Sequence, residues 1–269
     1  MKDPVQVFRQ LHHNSQPLIL ANVWDAASAR IVESLGAPAV ATTSAGVAWS
    51  LGYADGNKMP AEQLVRLAHS IVRVIRIPLS VDIEAGYSSD PLAVGDVVKS
   101  LLAAGVAGIN IEDGRDAPEL LAAKIRRVRQ VADHAGVNLF INARTDVYLQ
   151  QLVPEAERIG ETVARAKQYK AAGADGLFVP GAAGVDTAAA IATRIDLPLN
   201  LMAWPGNPPA AELAKAGVKR ISAGSGISQV VWAQVEKMAR DFLETGHSEP
   251  LSEGLMPYGK LQGLFADRG

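Results

Sequence analysis

Regular alternation of strand-like and helix-like segments is the feature that most constrains the fold. Short apolar runs alternate along the chain with longer amphipathic, alanine-rich stretches such as "PAEQLVRLAHSIVRVI". This alternation indicates repeated βα units and therefore a parallel sheet. Eight strands are predicted, at residues 18–24, 39–44, 79–84, 108–113, 140–144, 176–180, 199–204 and 220–224.

Eight βα units within 269 residues predict a single-domain α/β protein, a (β/α)8 TIM barrel. We expect the barrel to occupy about residues 17–245, followed by a C-terminal extension at about 246–269. An open doubly wound sheet is the alternative, but no GxGxxG follows the first strand. The "AGSG" after the last strand fits either an anion site or a tight βα turn. Apolar residues in the extension indicate that it packs onto another protein surface, such as a neighbouring subunit.

Composition excludes several classes of partner and chemistry. Lys and Arg total 26 against 28 Asp and Glu, so no basic surface is expected for nucleic acid or anionic membranes. The absence of cysteine excludes disulfides, thiolate metal ligands and a cysteine nucleophile. The first residues lack the apolar core of a signal peptide, and no apolar run approaches the ~20 residues that span a bilayer. We therefore expect a cytoplasmic enzyme that acts on a small molecule.

Acidic side chains collect at the ends of predicted strands, where TIM-barrel active sites lie. In "LSVDIEAGYSSD", strand alternation would point Asp82 and Glu84 into one space. Neighbouring carboxylates need a cation, protonation or water, although a strand end in solvent also explains them. With Asp55 and Glu112 they form an oxygen-only set suited to Mg²⁺ or Mn²⁺. We expect Asp82 to bind the metal directly and the others to hold metal-bound water, although each acid alone also fits a salt bridge or helix cap.

Anion-binding groups complete the predicted site. Arg144 ends an apolar strand, where its planar fork could grip a carboxylate or neutralise the neighbouring acids. Ser44 and the following backbone N–H groups could hold a second anionic group. The expected substrate-binding residues are Trp24, Ser44, Ala45, Gly46, Asp82, Arg144 and Asn200. The expected catalytic residues are Arg144, Asp55 and Glu112.

Four ordered segments carry a resemblance to the isocitrate lyase/phosphoenolpyruvate mutase superfamily. They are "NVWDAASARIVESLGAPAVATTSAGVAWSLGYADG", "SVDIEAGY", "GINIEDG" and "INARTDVYL". The resemblance implies a modified TIM barrel whose last helix is often exchanged between subunits, and a homo-oligomer, either a dimer or a tetramer. It also implies Mg²⁺ and a small 2-oxo or enol acid, such as pyruvate, oxaloacetate, phosphoenolpyruvate or glyoxylate.

The same resemblance assigns residue roles. By this resemblance, Asp82 would be a metal ligand, and Asp55, Glu84 and Glu112 would form a water-mediated shell around the metal. Ser44, Ala45 and Gly46 would bind a carboxylate, and Arg144 would contact the substrate. Roles for Trp24 and Asn200 rest only on their positions near predicted strand ends.

Departures from the family pattern concern the gating loop. Family lyases carry a cysteine acid after the fourth strand, and the mutases carry Lys and Asn there. Here residues 114–117 alone separate that strand from a predicted helix. Glu84 replaces the usual Asp, and Gly181 stands where lyases have a glutamate.

These observations predict an Mg²⁺-dependent carbon–carbon lyase or decarboxylase that acts on a small 2-oxo dicarboxylate through a metal-stabilised enolate. Phosphorus–carbon chemistry, as in phosphoenolpyruvate mutase or phosphonopyruvate hydrolase, is one alternative. A non-catalytic protein that binds 2-oxo acids is the other.

Overall fold

The computed structural model describes residues 3–266 and contains a closed barrel of parallel strands. Its strands are β1 (Leu18–Leu20), β2 (Asn22–Val23), β3 (Val40–Thr42), β4 (Leu79–Asp82), β5 (Gly108–Glu112), β6 (Phe140–Arg144), β7 (Gly176–Val179), β8 (Leu199–Met202) and β9 (Val218–Ser222). β1 and β2 are two pieces of one strand, interrupted at Ala21. Because β1 pairs with β9 and β2 pairs with β3, this strand closes the sheet. The predicted TIM barrel is confirmed.

Helices ring the barrel and cover its strands. They are α1 (Pro4–Leu11), α2 (Ala26–Ser34), α3 (Ser44–Ser50), α4 (Ala61–Val74), α5 (Pro91–Ala103), α6 (Pro118–His134), α7 (Arg158–Ala172), α8 (Val185–Ala192), α9 (Ala210–Lys215), α10 (Gly226–Thr245) and α11 (Tyr258–Gly263). In α4 the buried residues Leu64, Ala68 and Ile71 recur at helical spacing, so one face packs on the core. None of the described helices combines the length and hydrophobicity needed to cross a membrane.

Helix α1 contributes to the floor of the barrel at its N-terminal end. Phe8 is fully buried among small and aromatic residues of the strands. His12 follows the helix and stacks on Phe140 at 3.9 Å between ring centroids. Its Nδ1–H donates to the Phe8 carbonyl oxygen at 2.8 Å. Burial, together with the positive charge of Arg220, lowers the pKa of His12 to about 3.

Substitution of His12 by Gln is therefore expected to weaken acid sensitivity. The unfolded chain protonates His12 near pH 6.5, whereas the folded chain protonates it only near pH 3. Between these values the unfolded state binds the extra proton, so stability falls as pH falls, by about 1.4 kcal/mol per unit. Urea unfolding from pH 7 to 4 should give a steeper loss for the natural protein than for His12→Gln. Parallel pH profiles would contradict this account.

Helix α10 projects from the barrel and leaves apolar side chains in contact with solvent. They are Ile227, Val230, Val231, Trp232, Val235, Phe242 and Leu243. On β1, Ile19 points outward between two buried neighbours and is 51% exposed. The chain then returns to its own barrel, because the Leu264 carbonyl oxygen accepts a 2.7 Å hydrogen bond from Arg30 and Phe265 packs on the core. The described part of the extension thus packs partly on its own chain.

Candidate metal and substrate site

A cavity of about 770 Å³ lies at the C-terminal end of the barrel. Half of the predicted site residues line it, namely Ser44, Ala45, Asp55, Asp82 and Arg144. The structure places Trp24, Gly46, Glu84, Glu112 and Asn200 behind the cavity surface rather than on it. Asn22, Asn110 and Phe178, to which the sequence analysis gave no role, also line the cavity.

Asp82 is the last residue of β4 and its side chain enters the cavity. Its backbone N–H donates to the Thr42 hydroxyl at 2.8 Å, and Oδ1 accepts from the Glu84 backbone N–H at 3.0 Å. Burial raises the pKa of Asp82, while the Arg144 guanidinium opposes the rise. Asp82 is thus a fixed and desolvated carboxylate that faces a ligand space.

Glu84 reaches Asp82 through a turn and not through strand alternation. The strand ends at Asp82, so the prediction of a strand through residue 84 is wrong. Glu84 has a φ of +51°, a left-handed conformation that costs about 1–2 kcal/mol for a residue with a side chain. Its Oε2 accepts a short hydrogen bond from the Asn57 backbone N–H. Burial raises the pKa of Glu84, and the neighbouring Asp55 and Asp82 charges add to the rise.

Arg144 is held by two carboxylates. Its Nε and Nη2 groups donate to Asp146 at 2.6 and 3.0 Å, and Nη1 lies 2.8 Å from Glu112. These contacts occupy three of the five N–H donors of a guanidinium, and two remain for a ligand. Burial raises the pKa of Glu112, while the Arg144 charge opposes the rise. The bidentate partner of Arg144 in this structure is therefore Asp146.

A buried network behind Arg144 holds Asp146 in place. The fully buried Asp113 accepts hydrogen bonds from the Asp146 backbone N–H at 2.8 Å, the Tyr169 hydroxyl at 2.6 Å and Arg165 Nη1 at 2.9 Å. Sequence reasoning assigned no role to Asp113 or Asp146. Asp113 is the last residue of the predicted strand at 108–113, and Asp146 lies two residues beyond the predicted strand at 140–144, so the sorting by strand ends could have found them.

Amides and close packing support the cavity from below. Asn142 Nδ2 donates to Asn110 at 2.9 Å and to Asn200 at 3.0 Å, so Asn200 belongs to a buried amide layer. A Cβ added to Gly46 would lie 2.7 Å from Thr43 Cγ2 and 3.1 Å from Trp24 Cβ. Gly46 and Trp24 therefore let the start of α3 approach the barrel closely.

The loop after β5 is short, as predicted from the sequence. Five residues, 113–117, connect β5 to α6. Gly181 has a φ of +82°, and a Cβ there would lie 3.1 Å from the Leu149 backbone nitrogen. A glutamate at position 181 would therefore be strained in this backbone.

The donor set fits a divalent cation bound through few direct contacts. Asp55, Asp82 and Glu84 lie near one another, and Arg144 is the cation among the described residues that line the cavity. Arg144 is already paired with Glu112 and Asp146, and no described side chain forms an ion pair with Asp55, Asp82 or Glu84. Within residues 3–266, no three acidic or histidine side chains converge as a ready-made metal cage. A divalent cation that keeps several waters needs only one or two direct carboxylates.

The fold is a TIM barrel whose C-terminal cavity is lined by acidic side chains and an arginine. Residues 8–243 match the phosphoenolpyruvate phosphomutase family. The chain belongs to this family, within the phosphoenolpyruvate mutase/isocitrate lyase superfamily, and is an enzyme of that lyase and mutase group.

Three similar proteins illustrate the range of the superfamily. A solved structure from Burkholderia cenocepacia J2315, whose description as a phosphonomutase is provisional, is 40% identical with a TM-score of 0.84, covering 89% of this chain and 100% of that one. Oxaloacetate decarboxylase from Pseudomonas savastanoi pv. phaseolicola (strain 1448A / Race 6) is 30% identical over 79% of this chain and 75% of that protein. The solved 2,3-dimethylmalate lyase is 25% identical with a TM-score of 0.85, covering 98% of this chain and 95% of that one.

Asp113→Ala is expected to destabilise the fold by about 3–5 kcal/mol, because it leaves the Arg165 charge buried with a lost partner. Tyr169→Phe removes one hydrogen bond to the same carboxylate and should cost about 1 kcal/mol. Asp116→Ala, at an exposed acid in the adjoining loop, is the matched control and should change stability by at most about 0.5 kcal/mol. Urea unfolding measures all three. Equal losses for Asp113→Ala and Asp116→Ala would contradict the network.

Proposed function

We propose that this chain is a divalent-metal-dependent carbon–carbon lyase or decarboxylase that acts on a small 2-oxo dicarboxylate. The observation that carries the proposal is the buried Asp82 carboxylate, without a paired cation of its own, in one cavity with the two free N–H donors of Arg144. Oxaloacetate decarboxylases and 2,3-dimethylmalate lyase among the similar proteins support it.

Each group of this chain has a role in binding. Asp82 would hold Mg²⁺ or Mn²⁺ directly, with Asp55, Glu84 and Glu112 positioning its waters. The free N–H donors of Arg144 would bind one substrate carboxylate. Ser44 and the backbone N–H of Ala45 would hold the second, and Gly46 would let the start of α3 approach the barrel closely. The chemistry that a bound divalent cation supplies is Lewis-acid polarisation of the keto oxygen.

Decarboxylation requires few further catalytic groups from the protein. When the carbon–carbon bond to the carboxylate breaks, its electron pair moves toward the polarised carbonyl, CO₂ leaves, and a water proton completes the product. Arg144 orients the substrate, and its guanidinium is already held by Glu112 and Asp146, so it need not reorganise as negative charge develops. Cleavage of a hydroxy acid would need an additional base, and the short 113–117 loop contains no cysteine to act as the acid. We therefore favour decarboxylation.

Phosphorus–carbon chemistry remains the second candidate because of the 40% identity to the Burkholderia protein. It is the weaker one, since the Lys and Asn of the mutase loop are missing from residues 113–117. Release of phosphate from phosphonopyruvate would favour it. Metal-dependent binding without turnover of any acid would favour a non-catalytic binding protein.

Asp82→Asn should abolish metal-dependent turnover. We expect oxaloacetate to lose CO₂ in the presence of Mg²⁺ well above the rate of enzyme-free Mg²⁺ blanks, and EDTA to remove this excess. Asp82→Asn should lower kcat/KM by about 10²–10³-fold, because a neutral amide binds a divalent cation poorly. Asp116→Asn serves as the control. Carbon-13 NMR follows substrate and product. Full turnover in EDTA, or by the Asp82→Asn variant, would contradict the proposal.

We also propose that the chain forms a homo-oligomer, a dimer or a tetramer, through α10. Its exposed apolar side chains and the exposed Ile19 on the barrel wall support an exchange of helices between copies. Val235→Glu combined with Leu243→Glu should yield monomers in light scattering, because each substitution places a charge in the expected interface. Lys237→Glu on the same helix is the control for charge alone. A monomeric natural protein would contradict this proposal.

A further inference from the structure

The cavity lining has a polar half and a smaller apolar wall, and Asn22 and Ser222, on β2 and β9, are polar as well. Three consecutive strands, β4 to β6, contribute the polar groups Asp82, Asn110 and Arg144. The next two strands and the loop after β8 contribute an apolar wall, which consists of Phe178, Met202, Trp204 and Pro205. A site built only for a four-carbon dicarboxylate has no chemical need for such a wall.

Strand order places the apolar wall across the cavity from the candidate metal ligand. Since β1 and β2 are one strand, the sheet is a ring of eight. β8, which ends at Met202, lies four strands from β4, which ends at Asp82. Four strands are half of the ring. A substituent that extends across the cavity from a ligand at Asp82 would therefore reach Met202 and the loop after β8.

The apolar wall has solvent-exposed surface that a bound ligand could bury. Trp204 is 49% exposed and Met202 is half-buried, although both face the cavity. The volume of about 770 Å³ falls within the ~300–1,000 Å³ typical of sites for drug-sized ligands. A four-carbon acid would leave the wall in contact with water.

Local contacts hold the wall in place. A Cβ on Gly224 would lie 2.6 Å from the Met202 sulfur, so the thioether packs directly on that glycine. The Asn207 side chain donates to the Met202 carbonyl oxygen at 3.0 Å, and its backbone N–H donates to the Trp204 carbonyl oxygen at 2.9 Å. The turn after β8 is therefore tied back to the strand.

We infer that the substrate is a 2-oxo acid with a hydrocarbon substituent on the carbon next to the keto group, and that the apolar wall selects it. This inference rests on the proposed function, because the polar half must bind the 2-oxo acid end. Burial of each methylene against the wall should tighten binding about fourfold, which corresponds to ~0.8 kcal/mol.

A homologous series of unreactive 2-oxo acids tests the inference. Pyruvate, 2-oxobutyrate, 2-oxopentanoate and 2-oxohexanoate are titrated calorimetrically into the full-length protein with Mg²⁺. We expect Kd to fall three- to fourfold with each added methylene. 2-Oxoglutarate, which has the five carbons of 2-oxopentanoate but ends in a carboxylate, should bind less tightly than 2-oxopentanoate.

Two variants locate the effect. Trp204→Ala combined with Met202→Ala should flatten the series to less than twofold per methylene and leave the Kd of pyruvate nearly unchanged. Trp49→Ala is the matched control, because it removes the same type of side chain from a second cavity that shares only Gln229 with the first. The Trp49→Ala variant should keep the three- to fourfold fall in Kd per added methylene. Circular dichroism and thermal melts confirm that each variant is folded.

The outcomes separate this inference from the proposed function. If pyruvate binds with Mg²⁺ but the longer acids bind no tighter, the inference is overturned while the proposed function stands. A steep series that survives the double substitution also overturns it, since another surface would then hold the chain. If no 2-oxo acid binds with Mg²⁺, both fail together.

Discussion

The ion pairs of Arg144 are the interaction on which the C-terminal end of the barrel depends. One buried guanidinium lies between Glu112 and Asp146 and offsets the cost of removing both carboxylates from water. Among the residues that line the cavity, no cationic side chain forms an ion pair with Asp82. Burial raises the pKa of Asp82, and a cation bound beside it is a direct way to stabilise the ionised carboxylate.

The position of Arg144 is set a long way from the cavity. Helix α7 supplies Arg165 and Tyr169 to Asp113, and Asp113 in turn fixes the backbone of Asp146. Every link in this path is a hydrogen bond of 3.0 Å or less. The outer helices thus determine the orientation of the Arg144 guanidinium as well as covering the strands. The same hydrogen bonds set the direction of its two free N–H donors.

Sequence periodicity predicted the barrel because each strand and helix carries its own pattern of burial. It also brought Asp55, Asp82 and Arg144 to one end, since the ends of parallel strands meet there. The pattern failed at Glu84, where a left-handed residue ends the alternation, a backbone state that composition does not reveal. The contacts of Asp113 join residues 56 positions apart and depend on the packing of α7, so no local pattern could predict them.

Trp24 and Gly46 show a different limit. Trp24 was expected to touch substrate because it ends a predicted strand, and Gly46 because of the family resemblance, yet both lie behind the cavity surface, where a Cβ on Gly46 would collide with its neighbours. Position at a strand end places a residue near the site but does not say whether its side chain faces the ligand or supports the backbone. Buried strand ends need both kinds of residue.

The most direct test of the account is a crystal structure with Mn²⁺ and oxalate, read from the anomalous signal of manganese. The account predicts one strong peak within bonding distance of the Asp82 carboxylate, with oxalate between that ion and Arg144. Manganese at full occupancy elsewhere, with Asp82 unliganded, would contradict the central claim that the acids at the barrel end form a metal site.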